Sequence, residues 1–130
     1  MSVILDTSFI IAYFDIRDQN HPAATALLKE LENNKFGKLC LSDYIFDETS
    51  TILKKYLGKE KASEKCMHII KSLEVKYVDP RLFELGWNFF RKFDKLSFTD
   101  CTTIVLMEHH NIDYVASYDA GFDAIVKVLK

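Results

Sequence analysis

The stretch SVILDTSFIIAYF, residues 2–14, shows the pattern that the rest of the chain repeats. Its first part, Ser2–Leu5, is an apolar run of the length expected for a buried strand, and Ser8–Phe14 continues as a short apolar helix. Asp6 stands at the junction, directly after the strand. A strand that passes at once into a helix predicts a parallel sheet covered by helices.

Short apolar runs alternate with amphipathic segments along the remainder of the chain. We therefore expect an α/β fold with a central, mainly parallel sheet of about four or five strands, in one domain that spans residues 1–130. The further strands are predicted at Lys38–Leu41, Val75–Val78, Tyr114–Ser117 and Ile125–Leu129. The further helices are predicted at His21–Asn34, Asp43–Leu57 after Ser42 as cap, Lys59–Leu73, Pro80–Phe93 and Thr99–His110 after Ser97 as start.

The composition indicates a globular protein, since 48% of the residues are hydrophobic and 13% are aromatic. No apolar run approaches the roughly 20 residues of a membrane span, and the first residues lack the basic start of a signal peptide. We therefore expect no membrane association and a cytoplasmic location. The 3 cysteines are widely spaced, which predicts reduced thiols and not a zinc site. The net charge of −2 neither favours nor excludes nucleic-acid binding, which needs only a local basic patch.

Two acids follow predicted strands directly. Asp6 comes after the first strand, and Asp119 comes shortly after Tyr114–Ser117. In open parallel sheets, binding sites form beyond the carboxyl ends of the strands, which makes both acids candidate site residues. Each also has a structural interpretation, because Asp6 is placed to cap the following helix and Asp119 to form a turn before Gly121.

Glu48 is the third candidate, and the helical period distinguishes it from its neighbour. It shares a face with Ile45 and Ile52, which lie three residues before and four residues after it. Asp47 shares the polar face of the same helix. We expect Glu48 to face the protein and Asp47 to face water, although a partly buried Glu paired with a Lys or a backbone group gives the same pattern.

Asp100 is the fourth candidate, and its local pattern has two interpretations. Ser97 and Asp100 fit a capping box, in which an acid is required for the helix alone. The helix that follows is very apolar and must be largely buried. A role for Asp100 in a functional site therefore needs support from outside the motif.

Taken together, the four acids predict a metal site. A cluster of carboxylates repels itself unless a cation neutralises it. Hard divalent ions with oxygen ligands, Mg²⁺ or Mn²⁺, suit such a cluster.

These motifs occur in the order and spacing of PIN domains. They are Ile4-Leu5-Asp6-Thr7-Ser8, Glu48 within Asp47-Glu48-Thr49, Ser97-Phe98-Thr99-Asp100, and Ala116-Ser117-Tyr118-Asp119-Ala120-Gly121-Phe122. The resemblance covers residues 3 to about 126. Short PIN proteins of this kind resemble VapC toxins, the nuclease components of prokaryotic toxin–antitoxin pairs.

The resemblance implies a three-layer α/β/α fold and Mg²⁺- or Mn²⁺-dependent cleavage of RNA. It implies that Asp6 and Asp100 are the core metal ligands and that Glu48 and Asp119 complete the catalytic acidic quartet. Ser8 and Ser117 stand where the family usually has a hydroxyl; at the latter position the family more often has Thr. The implied partners are an RNA substrate and an antitoxin protein, the latter in a groove near the helix of Glu48.

A basic cluster in one helix–loop–helix region includes Lys54, Lys55 and Lys59. A solvated surface explains it, and so does a surface that follows the RNA backbone, so these lysines are tentative RNA-binding residues. Arg91, Lys92 and Lys95 are a possible extension of this surface.

The aromatic residues predict a homodimer, in agreement with the resemblance. Their number between residues 77 and 93 exceeds what one small core readily buries; they are Tyr77, Phe83, Trp87, Phe89, Phe90 and Phe93.

Two other functions compete with the nuclease. One is a catalytically silent PIN domain that only binds protein or RNA, which the presence of all four acids disfavours. The other is a receiver-like phosphotransfer domain, which needs a lysine at the end of a late strand where this chain has Ser117-Tyr118-Asp119.

Overall fold

The computed structural model describes residues 1–33 and 35–130, which form one five-stranded sheet and six α-helices. The strands are β1 (Ser2–Leu5), β2 (Lys38–Ser42), β3 (Glu74–Lys76), β4 (Tyr114–Ala116) and β5 (Val128–Leu129). The helices are α1 (Thr7–Phe14), α2 (His21–Glu32), α3 (Asp43–Leu57), α4 (Lys59–Ser72), α5 (Pro80–Lys92) and α6 (Phe98–His110), and a short 3-10 turn covers Ala120–Phe122.

The sheet has the order β3-β2-β1-β4-β5, and all of its strand pairs are parallel. The central strand is β1, where Ile4 pairs with Cys40 on one side and Val115 on the other. Successive residues of a strand point to opposite faces, and Val3, Ile4 and Leu5 are all buried, so both faces of the sheet are covered. The expected α/β/α fold is confirmed, with every strand parallel.

The topology places a crevice between β1 and β4. The chain runs outward from β1 through β2 to β3 and then returns to the opposite side of β1 as β4. At such a reversal the connections leave the two central strands in opposite directions, which leaves a gap at their carboxyl ends. Asp6 follows β1 and Ser117 follows β4 at this gap.

The start of α3 is set by a cap and by a contact with α1. The hydroxyl of buried Ser42 accepts a hydrogen bond from the Ile45 amide at 3.0 Å, as the sequence predicts. One turn further, the Thr49 hydroxyl donates to the Thr7 hydroxyl at 3.4 Å. This contact brings the middle of α3, including Glu48, beside the beginning of α1.

Two predicted strands are shorter in the structure because other groups take their amides. Val78 lies outside β3, since its N–H donates to the Asp43 carboxylate at 3.0 Å. The last strand excludes Ile125 and Val126, since both amides donate to the carbonyl of Phe122 at the end of the 3-10 turn.

The remaining element bounds agree with the prediction to within a residue or two. The second helix was predicted to reach Asn34, which lies outside the described residues, and α2 ends at Glu32. Within the described ranges, no helix combines the length and the apolar character needed to cross a bilayer. All three cysteines are free thiols, and burial raises the pKa of Cys40 to about 12.

The two glycines with positive φ provide a test of the β1–β2 connection. A Cβ at Gly37, where φ is +90°, would lie 1.9 Å from the carbonyl oxygen of Met1, whereas a Cβ at Gly58, where φ is +85°, would meet nothing within 4 Å. Gly58→Ala should lower the free energy of unfolding by about 1–3 kcal/mol, the cost of this backbone conformation alone. Gly37→Ala should lower it by clearly more, because the clash with Met1 is added. Denaturant unfolding of both variants measures the difference, and equal losses would show that the start of β1 simply moves away.

Candidate active site

An open cavity of about 600 Å³ lies at the carboxyl ends of β1 and β4. All four acids that the sequence singled out line it. The complete lining consists of Asp6, Thr7, Ser8, Ile11, Asp18, Asn20, Glu48, Ile52, Lys95, Ser97, Asp100, Tyr118 and Asp119.

Asp6 is buried, and its carboxylate is held by two serines. Ser8 donates to Oδ2 of Asp6 at 2.9 Å, and Ser117 donates to the same oxygen at 2.8 Å. Asp6 occupies the N-cap position of α1, but its side chain makes no capping hydrogen bond. The capping interpretation of Asp6 is therefore wrong, and the carboxylate belongs to the cavity.

The two serine hydroxyls also fix the backbone that follows β4. Ser8 accepts a hydrogen bond from the Tyr118 amide and Ser117 accepts one from the Asp119 amide, each at 2.9 Å. A hydroxyl has a single hydrogen, and both hydrogens are directed to Asp6. The 3.1 Å separation of the two hydroxyl oxygens is therefore a contact without a hydrogen of its own. This network joins the ends of β1 and β4 around one carboxylate.

The environment disfavours the ionised form of Asp6. Burial raises its pKa above the usual 3.8, the hydrogen bonds from Ser117 and Ser8 act in the opposite direction, and the nearby charge of Glu48 raises it further. A cation that entered the cavity would remove this disadvantage.

Asp100 combines a structural bond with a place in the cavity. The capping box is confirmed: Ser97 accepts from the Asp100 amide, and Oδ2 of Asp100 accepts from the Ser97 amide, both at 3.1 Å. Burial raises the pKa of Asp100 to about 6, assisted by the charges of Asp6 and Asp119 and opposed by the hydrogen bond from the Ser97 backbone. Capping and a functional role coexist at this residue, because the box uses only one carboxylate oxygen.

Asp119 has the same double character. Its Oδ1 accepts from the Gly121 amide at 2.9 Å and so begins the 3-10 turn, as the turn interpretation predicts. The half-buried side chain also lines the cavity.

Glu48 faces the cavity and Asp47 faces water, so the predicted faces of α3 are confirmed. Glu48 is half-buried in the cavity wall, whereas Asp47 is exposed and lies outside the lining. Neither oxygen of Glu48 has a hydrogen-bond partner among the described residues. The alternative, a Glu paired with a Lys or a backbone group, is therefore not observed there.

The donor groups of the cavity fit a hard divalent cation in chemistry. Carboxylates and hydroxyls line it without any thiol or imidazole, the combination that Mg²⁺ and Mn²⁺ prefer. Over residues 1–33 and 35–130, however, no three metal-binding side chains stand close enough to hold one ion as they are now arranged. The carboxylates repel one another, so they would have to draw together around an ion.

The lysines predicted to bind RNA lie elsewhere. Lys54, Lys55 and Lys59 are exposed, and two of them line a separate cavity of about 320 Å³ between α3 and α4. Their role in RNA binding stays a prediction. Among the described residues, the basic side chain that lines the acidic cavity is Lys95. The sequence analysis named it only as a possible extension of the basic surface.

Sequence reasoning did not single out three other residues of the lining, namely Asp18, Asn20 and Tyr118. Asp18 and Asn20 lie in the loop after α1, where the Asp18 carboxylate accepts a hydrogen bond from the Asn20 backbone N–H at 2.8 Å. Tyr118 stacks on Phe9 with ring centroids 6.2 Å apart, and its buried hydroxyl has no hydrogen-bond partner in the described chain. The loop between α1 and α2 carries no local signal of this placement, because only tertiary packing brings a loop to the cavity.

The chain is similar in sequence and in structure to VapC proteins. A VapC ribonuclease of Archaeoglobus fulgidus is 28% identical to this chain in an alignment of length 128 that covers 94% of the chain and 80% of that protein. The structure of VapC20 of Mycobacterium tuberculosis, described as a sarcin–ricin loop cleaving toxin, matches with a TM-score of 0.81 at 26% identity. That match covers 94% of this chain and 93% of the other.

A more distant structure shows the same fold. VapBC2 of Rickettsia felis, solved with a DNA fragment from its promoter, has a TM-score of 0.74 at 14% identity and covers 99% of this chain and 98% of that one. The sequence profile of the PIN domain matches residues 3–128, which include all four acids and at least part of every strand. This chain therefore belongs to the PIN domain family.

Proposed function

We propose that this protein is a metal-dependent endoribonuclease that hydrolyses RNA phosphodiester bonds and acts as the toxin of a toxin–antitoxin pair. The observation that carries the proposal is the cavity at the ends of β1 and β4, which is lined by four carboxylates of a PIN domain. The similarity to a VapC ribonuclease along 94% of the chain supports the choice of RNA as substrate.

The four acids are the proposed ligands of Mg²⁺ or Mn²⁺. Asp6 and Asp100 form the centre of the site, and Glu48 and Asp119 complete it directly or through water. When bound, the cation supplies Lewis acidity for the hydrolysis of a phosphodiester.

The chain's own residues orient these groups. Ser8 and Ser117 hold the Asp6 carboxylate in one orientation through hydrogen bonds of 2.9 and 2.8 Å. The capping box fixes Asp100 by one oxygen and leaves the other without a protein hydrogen bond among the described residues. Glu48 keeps both oxygens available to a cation or a water molecule. These arrangements limit the rearrangement needed when an ion and the substrate enter.

The proposed protein partner is an antitoxin. Structures of VapBC complexes from Rickettsia felis and Salmonella typhimurium share the fold, with TM-scores of 0.74 in both cases. The groove between α3 and α4, which Lys54 and Lys59 help to line, is the place where the resemblance leads us to expect an antitoxin segment.

We also propose a homodimer, supported by an exposed aromatic face. Phe83, Trp87 and Phe90 of α5 surround Phe98 with ring centroids 5.1 to 6.4 Å away, yet Phe83 and Trp87 each remain 48% exposed. Large exposed aromatic clusters of this kind are typical of protein interfaces.

The nuclease proposal predicts different effects at two adjacent acids. In Mn²⁺, wild-type protein should cut single-stranded RNA, and excess EDTA should abolish the cutting. Glu48→Gln should reduce the rate by about tenfold or more, because a neutral amide is a poorer metal ligand. Asp47→Asn, which removes the same charge from the opposite face of α3, should stay within a few-fold of wild type. Cutting that persists in EDTA would contradict the metal mechanism, and RNA binding without any cutting would favour the silent module.

The charge of Asp100 predicts a pH-dependent stability of the metal-free protein. The pKa of Asp100 is raised from 3.8 to about 6 in the folded state, so the folded form binds its proton more tightly than the unfolded form. This group's contribution to unfolding free energy therefore falls as pH rises from about 4 to 6 and stays low above that. In EDTA, wild type should lose more stability than Asp100→Asn between pH 5 and 7.5, as measured by thermal melting.

At pH 7.5, the metal should stabilise wild type more than Asp100→Asn. Wild type should gain about 2.7 kcal/mol when Mn²⁺ is at a hundred times its Kd, and Asp100→Asn should gain much less. An active Asp100→Asn with the same gain as wild type would remove Asp100 from the proposed site.

The aromatic face predicts the mass in solution. Sedimentation at micromolar concentration should give a species near twice the 15.1 kDa of one chain. Trp87→Ser should shift it towards the monomer, whereas Met67→Ser, at a 52% exposed side chain on α4, should not. A wild-type monomer at that concentration would contradict the proposal.

A further inference from the structure

Lys95 lines the acidic cavity, and no other lysine or arginine of the described residues does so. Five carboxylates share the lining with it: Asp6, Asp18, Glu48, Asp100 and Asp119. Lysine beside so many acids is expected to form an ion pair with at least one of them.

Lys95 forms no such pair in the described structure. The ion pairs found there are Arg17–Asp15, Lys76–Glu74 and Lys130–Asp123, and none of them involves an acid of the cavity. Lys95 therefore does not serve as the fixed counter-charge of the carboxylates, and its ammonium group is available for another anion.

The backbone of Lys95 is nevertheless held in place beside the acids. The next residue, Leu96, is 5% exposed and belongs to the hydrophobic core, and Ser97 then begins the capping box. On the other side the turn of Asp119 packs closely: a Cβ at Gly121 would lie 3.0 Å from Leu96 and 3.5 Å from the Lys95 carbonyl oxygen. The residue is thus anchored at its backbone, while its side chain is a mobile four-carbon stem with a terminal charge.

We propose that Lys95 binds a backbone phosphate of the RNA strand at the mouth of the acidic cavity, an inference that rests on the proposed function. An acidic cavity repels a polyanion, and a cation bound by the carboxylates reduces that repulsion only at the centre of the site. The charge on the exposed Lys95 side chain attracts the strand where it enters. Lys95 is a substrate-binding residue in this proposal, and the carboxylates remain the candidate catalytic groups.

The inference differs from the prediction based on the lysine cluster. Lys54 and Lys59 line a cavity that shares no residue with the acidic one, so their contact with RNA would lie outside the site. Lys95 stands inside the lining, next to the elements that carry Asp100 and Asp119.

The salt dependence of RNA binding tests the phosphate contact. A fluorescein-labelled single-stranded RNA is titrated with wild type, Lys95→Gln, Lys95→Arg and Lys71→Gln in Ca²⁺, and a gel checks that the RNA stays intact. Lys71 is an exposed lysine of α4 that lies outside the acidic cavity, so Lys71→Gln is the matched control for loss of one charge. Fluorescence anisotropy between about 50 and 200 mM salt gives Kd and its slope.

The expected result is specific to one variant. Lys95→Gln should reduce the slope of log K against log salt by about 0.7, the value for one phosphate contact on a single strand. It should also weaken binding by about threefold to tenfold, the range for one charge-assisted contact near the surface. Lys95→Arg should restore most of the affinity, and Lys71→Gln should resemble wild type. In Mn²⁺, Lys95→Gln should raise KM with little change in kcat.

Three outcomes would overturn the inference: a wild-type slope in Lys95→Gln, an equal change in Lys71→Gln, or a change confined to the Mn²⁺-induced shift in melting temperature. The last would show that Lys95 serves the carboxylates. Wild-type protein that cuts RNA with no dependence on Lys95 would remove only this inference. Wild-type protein that does not cut RNA, but whose binding slope depends on Lys95, would remove the nuclease proposal and retain the phosphate contact.

Discussion

The buried carboxylate of Asp6 is the constraint on which the candidate site depends. A carboxylate without water is unfavourable unless it accepts hydrogen bonds or meets a cation. Ser8 and Ser117 each donate a hydrogen bond to it, and each accepts a hydrogen bond from a backbone amide of the segment after β4. The hydrogen bonds that this one carboxylate requires therefore determine how the ends of the two central strands are joined.

Two of the other acids, Asp100 and Asp119, are held by hydrogen bonds that any helix or turn can make. Asp100 closes a capping box and Asp119 begins a 3-10 turn, each with one carboxylate oxygen. Such bonds restrict the side chain before any ligand arrives, which lowers the entropy that binding must remove. They also explain why each motif, taken alone, has a purely structural interpretation: the same bond is needed for both roles.

The sequence allowed prediction of features that depend on local periodicity. The face of Glu48, the caps of Ser42 and Ser97 and the strand before Asp6 follow from spacing within one element. The positions of Asp18, Asn20 and Lys95 could not be predicted, because loops reach the cavity only through tertiary packing. The same limit applies to β5, where Phe122 takes the amides of Ile125 and Val126. The role of Asp6 also could not be decided from local sequence, because its partner Ser117 is 111 residues away.

That separation along the chain has a consequence for synthesis. A polypeptide is made from its N-terminus, and Asp6 and Ser8 emerge first. Ser117 and Asp119 follow more than a hundred residues later. The Ser117 amide in turn donates to the carbonyl of Leu129 at 3.1 Å. A growing chain that stops before β4 has the first carboxylate without the hydroxyl that orients it. The candidate site therefore cannot assemble on the growing chain until both β4 and β5 have been made.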